Sequence, residues 1–315
     1  MQPTIPQLDL DLFQNEKTRH LFIDQIGNAF KEIGFVAIKN KYINQEDIEA
    51  YYEEVKTFFH LPVAQKEQYE IEGLAGQRGY TSFGKEHAKG SIYSDLKEFW
   101  QMGQIEKSPN PELEIYPENV TVNELPEFNR LGNVLYKGFE KTGSEILKAI
   151  ALYLNLDENY FEPHIKKGNS ILRAIHYPPI TSEPENSIRA EAHEDINLIT
   201  LLVGASADGL QLLSKNNEWL SINAPANYFV INVGDMLQRL TNNVLKSTTH
   251  RVVNPPREEW HKSRFSIPFF LHPVSQMDLT CLDQCVEIGR KPNYEPITAG
   301  KYLEERLIEI GLLKK

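Results

Sequence analysis

One stretch decides the fold: residues 197–235 read NLITLLVGASADGLQLLSKNNEWLSINAPANYFVINVGD. It contains four apolar runs of strand length, and Gly, Asn, Asp and Pro residues that favour turns separate them. The runs are Asn197–Val203, Leu210–Ser214, Trp219–Ile222 and Tyr228–Val233. Short strands at this spacing are typical of a β-sandwich or a jelly roll.

Apolar segments of strand length continue on both sides of this stretch. Further segments of strand length are Ser170–Tyr177, Thr248–Val253 and Arg264–Leu271. Elsewhere apolar residues recur at helical spacing, which predicts helices. These helices are expected over 16–33, 45–60, 124–155 and 299–313. We therefore predict a mainly β fold with flanking helices, of the α+β class.

Near Gly168 the sequence pattern changes from mostly helical to short strands, which suggests an organisation in four regions that form one catalytic unit. They are an N-terminal helical and mixed region over 1–120, a long supporting helix within 121–165, a β-rich core over 166–275 and a C-terminal helical region over 276–315.

Composition narrows the class of protein. The net charge is −11, and a negative surface repels phosphate backbones, so we expect no nucleic-acid partner. The apolar runs are far shorter than the roughly 20 residues of a membrane helix, and no signal peptide is visible, so no membrane association is expected. Two cysteines, Cys281 and Cys285, are too few for a disulfide framework and are expected to be bystanders. We expect a cytoplasmic monomer that acts on a small molecule.

The tripeptide His193-Glu194-Asp195 is the first motif that carries chemistry. In a strand, residues i and i+2 project from the same face, so His193 and Asp195 can reach one metal ion while Glu194 points away. His250, in another β-rich run 55 residues after Asp195, is a candidate third ligand. Two imidazoles and one carboxylate on one face of a metal leave the opposite positions open, as in non-haem Fe(II) oxygenases.

An Arg-x-Ser pair follows His250 by 14 residues. Arg264 and Ser266 share one strand face, and together they offer a planar fork and a hydroxyl donor to a carboxylate. Tyr177 is a candidate for a further donor. Each motif alone is weak, because Glu162-x-His164 has a similar spacing to the first. The combination predicts a metal site with a clamp for a dicarboxylic co-substrate.

The ordered set of motifs resembles the 2-oxoglutarate/Fe(II)-dependent dioxygenase superfamily, in the branch that contains isopenicillin N synthase and the plant flavonoid and gibberellin oxygenases. The similarity covers almost the whole chain. In the N-terminal region it is carried by Ile5-Pro6-x-Leu8-Asp9-Leu10, Gly34-Phe35-Val36, Phe58-Phe59-x-Leu61-Pro62, Gly79-Tyr80, Gly84-Lys85-Glu86 and Asp95-x-Lys97-Glu98. In the core it is carried by Gly209-Leu210-Gln211, Asn232-Val233-Gly234-Asp235, Thr241-Asn242, Lys246-Ser247 and His250-Arg251-Val252.

The resemblance implies a double-stranded β-helix, a jelly-roll barrel, as the core over 166–275. The implied ligands of Fe(II) are His193, Asp195 and His250. The residues implied to hold the C5 carboxylate of 2-oxoglutarate are Arg264, Ser266 and Tyr177. The implied reaction decarboxylates 2-oxoglutarate to succinate and CO2 while O2 oxidises a small organic substrate by hydroxylation, desaturation or cyclisation. Ascorbate is expected as a reductant.

One position departs from the family pattern. Many plant members have Asn two residues before the tyrosine, whereas this chain has Ile175, so that contact is missing or supplied by another residue. Arg173 has the same strand parity as Tyr177, so it could enter the pocket, but we expect it to form an outward salt bridge instead. The residues expected to line the substrate pocket are Tyr80, Phe83, Phe270 and Tyr302.

Three other classes of protein remain open at this stage. An isopenicillin N synthase-like oxidase uses no 2-oxoglutarate, and its Arg and Ser hold a carboxylate of the substrate instead. A zinc hydrolase also uses two His and one Asp, but has no need of the Arg264 and Ser266 clamp. A non-catalytic binding module is disfavoured by the complete triad.

Overall fold

The computed structural model describes residues 5–74, 76–87, 93–105, 116–204, 208–310 and 312–313. The helices in these residues are α1 (Asp11–Gln14), α2 (Arg19–Glu32), α3 (Gln45–Phe59), α4 (Val63–Lys66), α5 (Pro126–Tyr153), α6 (Glu162–Ile165), α7 (Asp235–Leu240) and α8 (Ala299–Glu309). Short 3-10 segments cover Glu67–Tyr69, Arg257–Glu259 and Asp283–Cys285.

Most strands lie after residue 168, where the sequence pattern changes from helical to β. They are β1 (Gln7–Asp9), β2 (Phe35–Lys39), β3 (Gly79–Thr81), β4 (Glu98–Met102), β5 (Ile171–Tyr177), β6 (Ala190–His193), β7 (Ile199–Val203), β8 (Leu210–Leu213), β9 (Trp219–Ser221), β10 (Tyr228–Val233), β11 (His250–Val252), β12 (Arg264–Ser266) and β13 (Pro268–Leu271). Where a strand was predicted, its observed first or last residue most often differs from the predicted one by one or two positions.

Helix α5 illustrates how local sequence sets an element. Pro126 occupies its first turn, where no backbone donor is needed. Buried Leu135, Phe139 and Ile146 follow at helical spacing on one face. Asn155 adopts a left-handed conformation with φ of 56° just beyond the end, which stops the helix.

Two sheets carry the strands. The major sheet has the order β1-β2-β10-β7-β13-β5-β4-β3, with β12 paired to β5, and the minor sheet has the order β6-β11-β8-β9. From β5 onward the chain crosses repeatedly between the two sheets, although β8 and β9 both lie in the minor sheet and β12 and β13 both lie in the major sheet. Each therefore gains its strands from distant parts of the sequence, which is the connectivity of a jelly roll.

The apolar core is divided unequally between the faces of the major sheet. Its helix-facing side shares one large cluster of buried side chains with α2, α3 and α5. Its other side meets the minor sheet through two small clusters. One joins Phe35 and Val230 to Leu212, and the other joins Ile175 to Val252.

The N-terminal region is part of the same sheet as the core. Strand β2 pairs with β10, and β4 pairs with β5, so segments from before residue 103 extend the major sheet at both edges. Strand β4 escaped sequence analysis because it begins with Glu98, which is buried against Lys66. The four predicted regions remain a proposal about organisation.

Two local differences from the sequence expectations have physical reasons. The segment 264–271 forms two strands, β12 and β13, which pair with different parts of β5. Gly234-Asp235, expected as a turn, begins α7, which buries Met236 and Leu237. Among the described residues, no helix is both long and apolar enough to cross a membrane.

Candidate active site

Three predicted metal ligands converge at one end of the minor sheet. His193 is the last residue of β6, Asp195 lies two residues further on, and His250 is the first residue of β11. His250 is the direct antiparallel partner of His193. Each imidazole Nε2 lies 3.7 Å from Oδ1 of Asp195. Within the described ranges, this is the one group of three such side chains that could hold a metal ion.

The remaining polar atoms of the three side chains are already bonded. Nδ1 of His193 lies 2.6 Å from the carbonyl of Glu191, and Nδ1 of His250 lies 3.1 Å from that of Thr248. Because a carbonyl only accepts, each Nδ1 donates and each Nε2 keeps its lone pair. This tautomer is the one that a metal-binding imidazole needs.

The carboxylate of Asp195 is oriented in the same way. Its Oδ2 accepts hydrogen bonds from Thr200 Oγ1 at 2.6 Å and Asn232 Nδ2 at 2.8 Å. Asn197 donates in turn to Thr200 at 2.8 Å, so the hydroxyl proton of Thr200 faces the carboxylate. Oδ1 is left to face the two imidazoles. The donor set fits a divalent transition metal.

Electrostatics favour the protonation states that bind a metal. Burial raises the pKa of Asp195, but the neighbouring His250 and His193 and the hydrogen bonds from Asn232 and Thr200 outweigh it, and the net pKa lies below the usual value. Burial lowers the pKa of His250 further than the Asp195 charge raises it. At neutral pH the site therefore offers an anionic carboxylate and a neutral imidazole at position 250.

The predicted carboxylate clamp lies on β12 and the facing end of β5. Arg264 is the antiparallel partner of Tyr177, and Ser266 is the partner of Ile175. Arg264 and Ser266 are buried, and the guanidinium carbon of Arg264 lies 5.0 Å from the Tyr177 ring centre. Ile175, at the position of the plant asparagine, belongs to an apolar cluster with Phe99 and offers no polar contact.

A second buried arginine beside this clamp was missed by sequence analysis. Arg189 is 3% exposed, and its guanidinium carbon lies 6.0 Å from the same Tyr177 ring. Its Nε is buried without a hydrogen-bond partner among the described residues, and its Nη2 donates to the carbonyl of Lys262. Burial, and then the nearby Arg264 charge, lower the pKa of Arg189 to about 10. Two buried cations beside one ring favour an anion.

A cavity of about 480 Å³ opens beside the predicted metal ligands His193 and Asp195. This volume lies within the usual range for small-molecule sites. His193 and Asp195 line it, with Phe270 from β13 and Leu303 from α8. The cavity thus extends from His193 and Asp195 to the C-terminal helix.

Arg173 lies in the wall of this cavity, so the expectation of an outward salt bridge was wrong in direction. Its Nη1 forms the salt bridge inside, with Glu86 at 3.1 Å, and its Nε donates to Gln101 at 2.9 Å. The guanidinium carbon lies 4.1 Å from the Phe99 ring centre and 5.2 Å from that of Phe270. These contacts hold the guanidinium in place in the cavity wall.

His272 is another cavity residue that sequence analysis missed. It is 7% exposed, and its Nδ1 is buried without a hydrogen-bond partner among the described residues. Burial lowers its pKa to about 4, so the imidazole is neutral at pH 7. The only sequence signal was its place six residues after Ser266, on the same strand parity.

The expectation that Glu194 points away from the site was wrong, because Glu194 lines the same cavity as His193 and Asp195. It accepts a hydrogen bond from Thr249 Oγ1 at 3.2 Å. Burial, followed by the neighbouring Asp235 carboxyl, raises the pKa of Glu194 to about 8. Tyr302 of α8 donates to Asp235 at 3.3 Å and so stands behind this wall.

The predicted pocket residues separate into two groups. Phe270 lines the cavity, and Tyr302 supports it through Asp235. Tyr80 and Phe83 are not among the described lining residues. Tyr80 is buried in the core, where its hydroxyl bonds to Glu98, and Phe83 is half exposed at the surface. The expectation of a lining role is therefore corrected for Tyr80, Phe83 and Tyr302, although Tyr302 bonds to the lining residue Asp235.

Other candidate ligands lie elsewhere. Glu162 and His164 belong to the short helix α6 and are not part of the metal group found in the described ranges. Cys281 and Cys285 are buried free thiols, and burial raises the pKa of Cys285 to about 11. That thiol is protonated at neutral pH, which disfavours a metal or redox role.

Comparison with known families agrees with this geometry. Residues 5–126 match a family described as the N-terminal region of non-haem dioxygenases in morphine synthesis. Residues 168–273 match the 2OG-Fe(II) oxygenase superfamily. The two matches together span the N-terminal elements and both sheets.

Solved structures and curated relatives extend the match. A Caulobacter crescentus protein described as a 2OG-Fe(II) oxygenase family member is 41% identical, with a TM-score of 0.87 and coverage of 98% of this chain and 100% of that one. A Neurospora crassa protein, solved in complex with alpha-KG and thymine, is 30% identical, with a TM-score of 0.84 and 96% of each chain covered. The proline hydroxylase buaE of Petromyces alliaceus is 30% identical over 323 residues, with 97% of this chain and 99% of the relative covered.

The fold and the site define an Fe(II)-dependent oxygenase with a jelly-roll core, which confirms the predicted fold class. The chain belongs to the 2OG-Fe(II) oxygenase superfamily. It is a 2-oxoglutarate-dependent oxidoreductase that uses Fe(II) and, as its class implies, O2.

Proposed function

We propose that His193, Asp195 and His250 are the protein ligands of the Fe(II) ion. The observation that carries this proposal is the direction of their free atoms. Both Nε2 atoms and Oδ1 face one another, while both Nδ1 atoms and Oδ2 are engaged elsewhere. An arrangement with this many prior bonds is pre-oriented for a metal ion.

We further propose that Arg264, Ser266 and Tyr177 hold the C5 carboxylate of 2-oxoglutarate, with Arg189 adding a second positive charge. The support is the register that places Arg264 opposite Tyr177 and the burial of both arginines. A buried anion gains more from a guanidinium than from an ammonium, because the planar fork makes two hydrogen bonds at once.

The chain's residues divide the work of the reaction. When bound, Fe(II) supplies the redox chemistry that couples decarboxylation of 2-oxoglutarate to oxidation of the substrate. Asp195 and the two histidines fix its position, and the clamp fixes the co-substrate. The apolar side chains of Phe270 and Leu303 keep water from the cavity, and Arg173 and His272 orient the substrate.

The substrate that fits the cavity best is a small polar molecule with a flat face. Phe270 offers a ring surface, Arg173 offers a donor to a carbonyl or carboxylate oxygen, and neutral His272 offers a polar partner. Thymine, the ligand in the related Neurospora crassa structure, is a molecule of this kind. The relative named as a proline hydroxylase acts on a different class of substrate. The residues of the cavity wall in this chain therefore decide which class of substrate it accepts.

The remaining proposals concern the setting of the enzyme. We propose a cytoplasmic monomer without a nucleic-acid or membrane partner, with ascorbate as a reductant. The net charge of −11 supports the absence of a nucleic-acid partner, and the two free thiols support a cytoplasmic location.

The test of the co-substrate assignment needs no knowledge of the primary substrate. The Fe(II) protein is incubated with 2-oxoglutarate, ascorbate and O2, and succinate is measured. We expect slow, iron-dependent succinate formation, and anaerobic addition of 2-oxoglutarate should give a visible charge-transfer band. A charge-assisted bond contributes about 1.5–3 kcal/mol, so Arg264→Ala should weaken 2-oxoglutarate binding at least about tenfold. Arg264→Lys should recover part of this loss.

Two outcomes decide against the clamp. Unchanged 2-oxoglutarate affinity in Arg264→Ala would place the carboxylate elsewhere. Absence of both succinate and the charge-transfer band in the parent enzyme would favour the isopenicillin N synthase-like oxidase, in which the same residues hold a carboxylate of the substrate.

A further inference from the structure

The backbone at Glu191 is fixed from two directions. Its carbonyl accepts the hydrogen bond from Nδ1 of His193 at 2.6 Å, which sets the orientation of that imidazole. Its N–H donates to Oδ1 of Asp95 at 2.9 Å. A side chain almost one hundred residues earlier in the chain is therefore bonded to the same residue that orients a metal ligand.

Strand β6 needs such a support. It is four residues long and forms one edge of the minor sheet, so β11 is its only strand partner among the described elements. Its pairing with β11 is irregular between His250 and Val252. On the open side, Leu96 N–H donates to the carbonyl of Ile188 at 3.1 Å. Residues 95 and 96 thus supply two hydrogen bonds to the backbone of residues 188–191.

Asp95 is itself held by buried charges. Lys97 Nζ lies 2.7 Å from Oδ2 of Asp95 and 2.6 Å from Glu86, and Glu86 also bonds Arg173. Burial raises the pKa of Glu86, but Arg173 and Lys97 lower it to about 2, so this carboxylate is ionised. Asp95 is 3% exposed and Lys97 is 7% exposed. A carboxylate held this way has little freedom to leave the Glu191 N–H.

We propose that Asp95 is a positioning residue for the metal ligand His193, acting through the backbone of Glu191 and held in place by Lys97. The inference rests on the proposed Fe(II) site, since it concerns the orientation of one of its ligands. It assigns a task to the Asp-x-Lys sequence of the N-terminal region, which the assignment of the triad and the clamp leaves without one. The cavity wall and the metal site are thereby coupled, because Lys97 and Glu86 also line the cavity.

A purely structural role for Asp95 makes a different prediction. Loss of a structural tie lowers the thermal stability of the chain and leaves the metal affinity of the folded protein unchanged. Loss of a positioning contact changes metal affinity in protein that is still folded, because β6 can then move the Glu191 carbonyl away from His193. Residues that support a metal ligand typically change metal affinity by about 10–100-fold.

The experiment titrates the full-length protein with Co(II) and follows the visible absorption of the bound ion, with circular dichroism as the check on folding. Asp95→Ala should raise the dissociation constant for Co(II) at least about tenfold and alter the visible band. Asp95→Asn keeps an oxygen for the Glu191 N–H and should recover at least half of that loss on a logarithmic scale. Lys97→Met, which loosens Asp95 without removing it, should weaken Co(II) binding at least about threefold.

Lys66→Met is the matched control, because Lys66 also forms a buried ion pair, with Glu98 at 2.7 Å, away from β6. It should lose thermal stability and bind Co(II) within twofold of the parent. The proposal is overturned if folded Asp95→Ala, or Lys97→Met where Asp95→Ala does not fold, binds Co(II) within twofold of the parent. Equal Co(II) binding by the parent and by His250→Ala would instead show that the proposed metal site is wrong.

Discussion

The two sheets of the barrel support their parts of the site by different means. The major sheet has its clamp-bearing strands packed under α2, α3 and α5, and its helix-facing side chains form the large apolar core. The minor sheet has strands of three or four residues and adds only Ala190, Leu212 and Val252 from its strands to the fully buried apolar clusters.

Polar contacts take over in the minor sheet. On its outer face Arg251 donates to Gln211 at 2.9 Å and lies 3.9 Å from the Trp219 ring centre, which links three strands. Its edge is tied by Asp95 and Leu96. The proposed metal ligands His193 and His250 therefore lie on the sheet that the apolar core fixes least, and we expect metal binding itself to add to its order.

The largest effect that tests this difference between the two sheets is expected from removing part of the major-sheet core. Phe139 of α5 is fully buried, and its ring lies parallel to that of Phe269 at 5.4 Å. Phe139→Ala should lower the free energy of unfolding by about 3–5 kcal/mol, measured by urea denaturation of the metal-free protein. Co(II) affinity of the folded protein should stay within twofold. A loss of metal affinity as large as the loss of stability would show that the two sheets are not separable in this way.

The converse change lies in the minor sheet. His250→Ala should reduce metal affinity at least about 100-fold, or ~2.7 kcal/mol, because it removes a ligand rather than a residue that supports one. The unfolding free energy of the metal-free protein should change far less than in Phe139→Ala. Iron content after anaerobic reconstitution is the measurement, and His164→Ala is the control that should retain full iron. Full iron occupancy in His250→Ala would remove this residue from the site.

Sequence was sufficient for the parts of the site that depend on local periodicity. The Arg-x-Ser pair lies within β12, so strand parity places both side chains on one face. The His-x-Asp motif was found from its spacing, although Asp195 lies beyond the end of β6 and parity does not set its direction. The apolar runs of residues 197–235 likewise predict β7, β8, β9 and β10 within a few residues. These features need no knowledge of what packs against them.

The cavity wall could not be predicted, because it is assembled from segments far apart in the chain. Arg173 turns inward because Glu86 and Gln101, more than seventy residues earlier, meet it there. Tyr80 was expected at the substrate, yet the buried Glu98 binds its hydroxyl in the core. A charged residue inside a strand gives no periodic signal, since burial depends on its partner.

His272 offers the finest test of the boundary between the apolar core and the polar cavity, because it follows β13 of the major sheet and yet faces the cavity. Burial holds its pKa at about 4 in the folded protein, against about 6.5 in an unfolded chain. Between these values the unfolded chain binds a proton that the folded state excludes, so the contribution is complete above pH 6.5 and stability falls as pH is lowered. At pH 5 the loss amounts to about 2 kcal/mol.

Urea denaturation of the metal-free His272→Asn protein should therefore show a smaller loss of unfolding free energy between pH 7 and pH 5 than the parent does, by this amount. The control His20→Asn, at an exposed position, should match the parent. An identical difference in His272→Asn and the parent would mean that burial does not lower the pKa of His272 in the folded protein, so the imidazole would not be held neutral below pH 6.5.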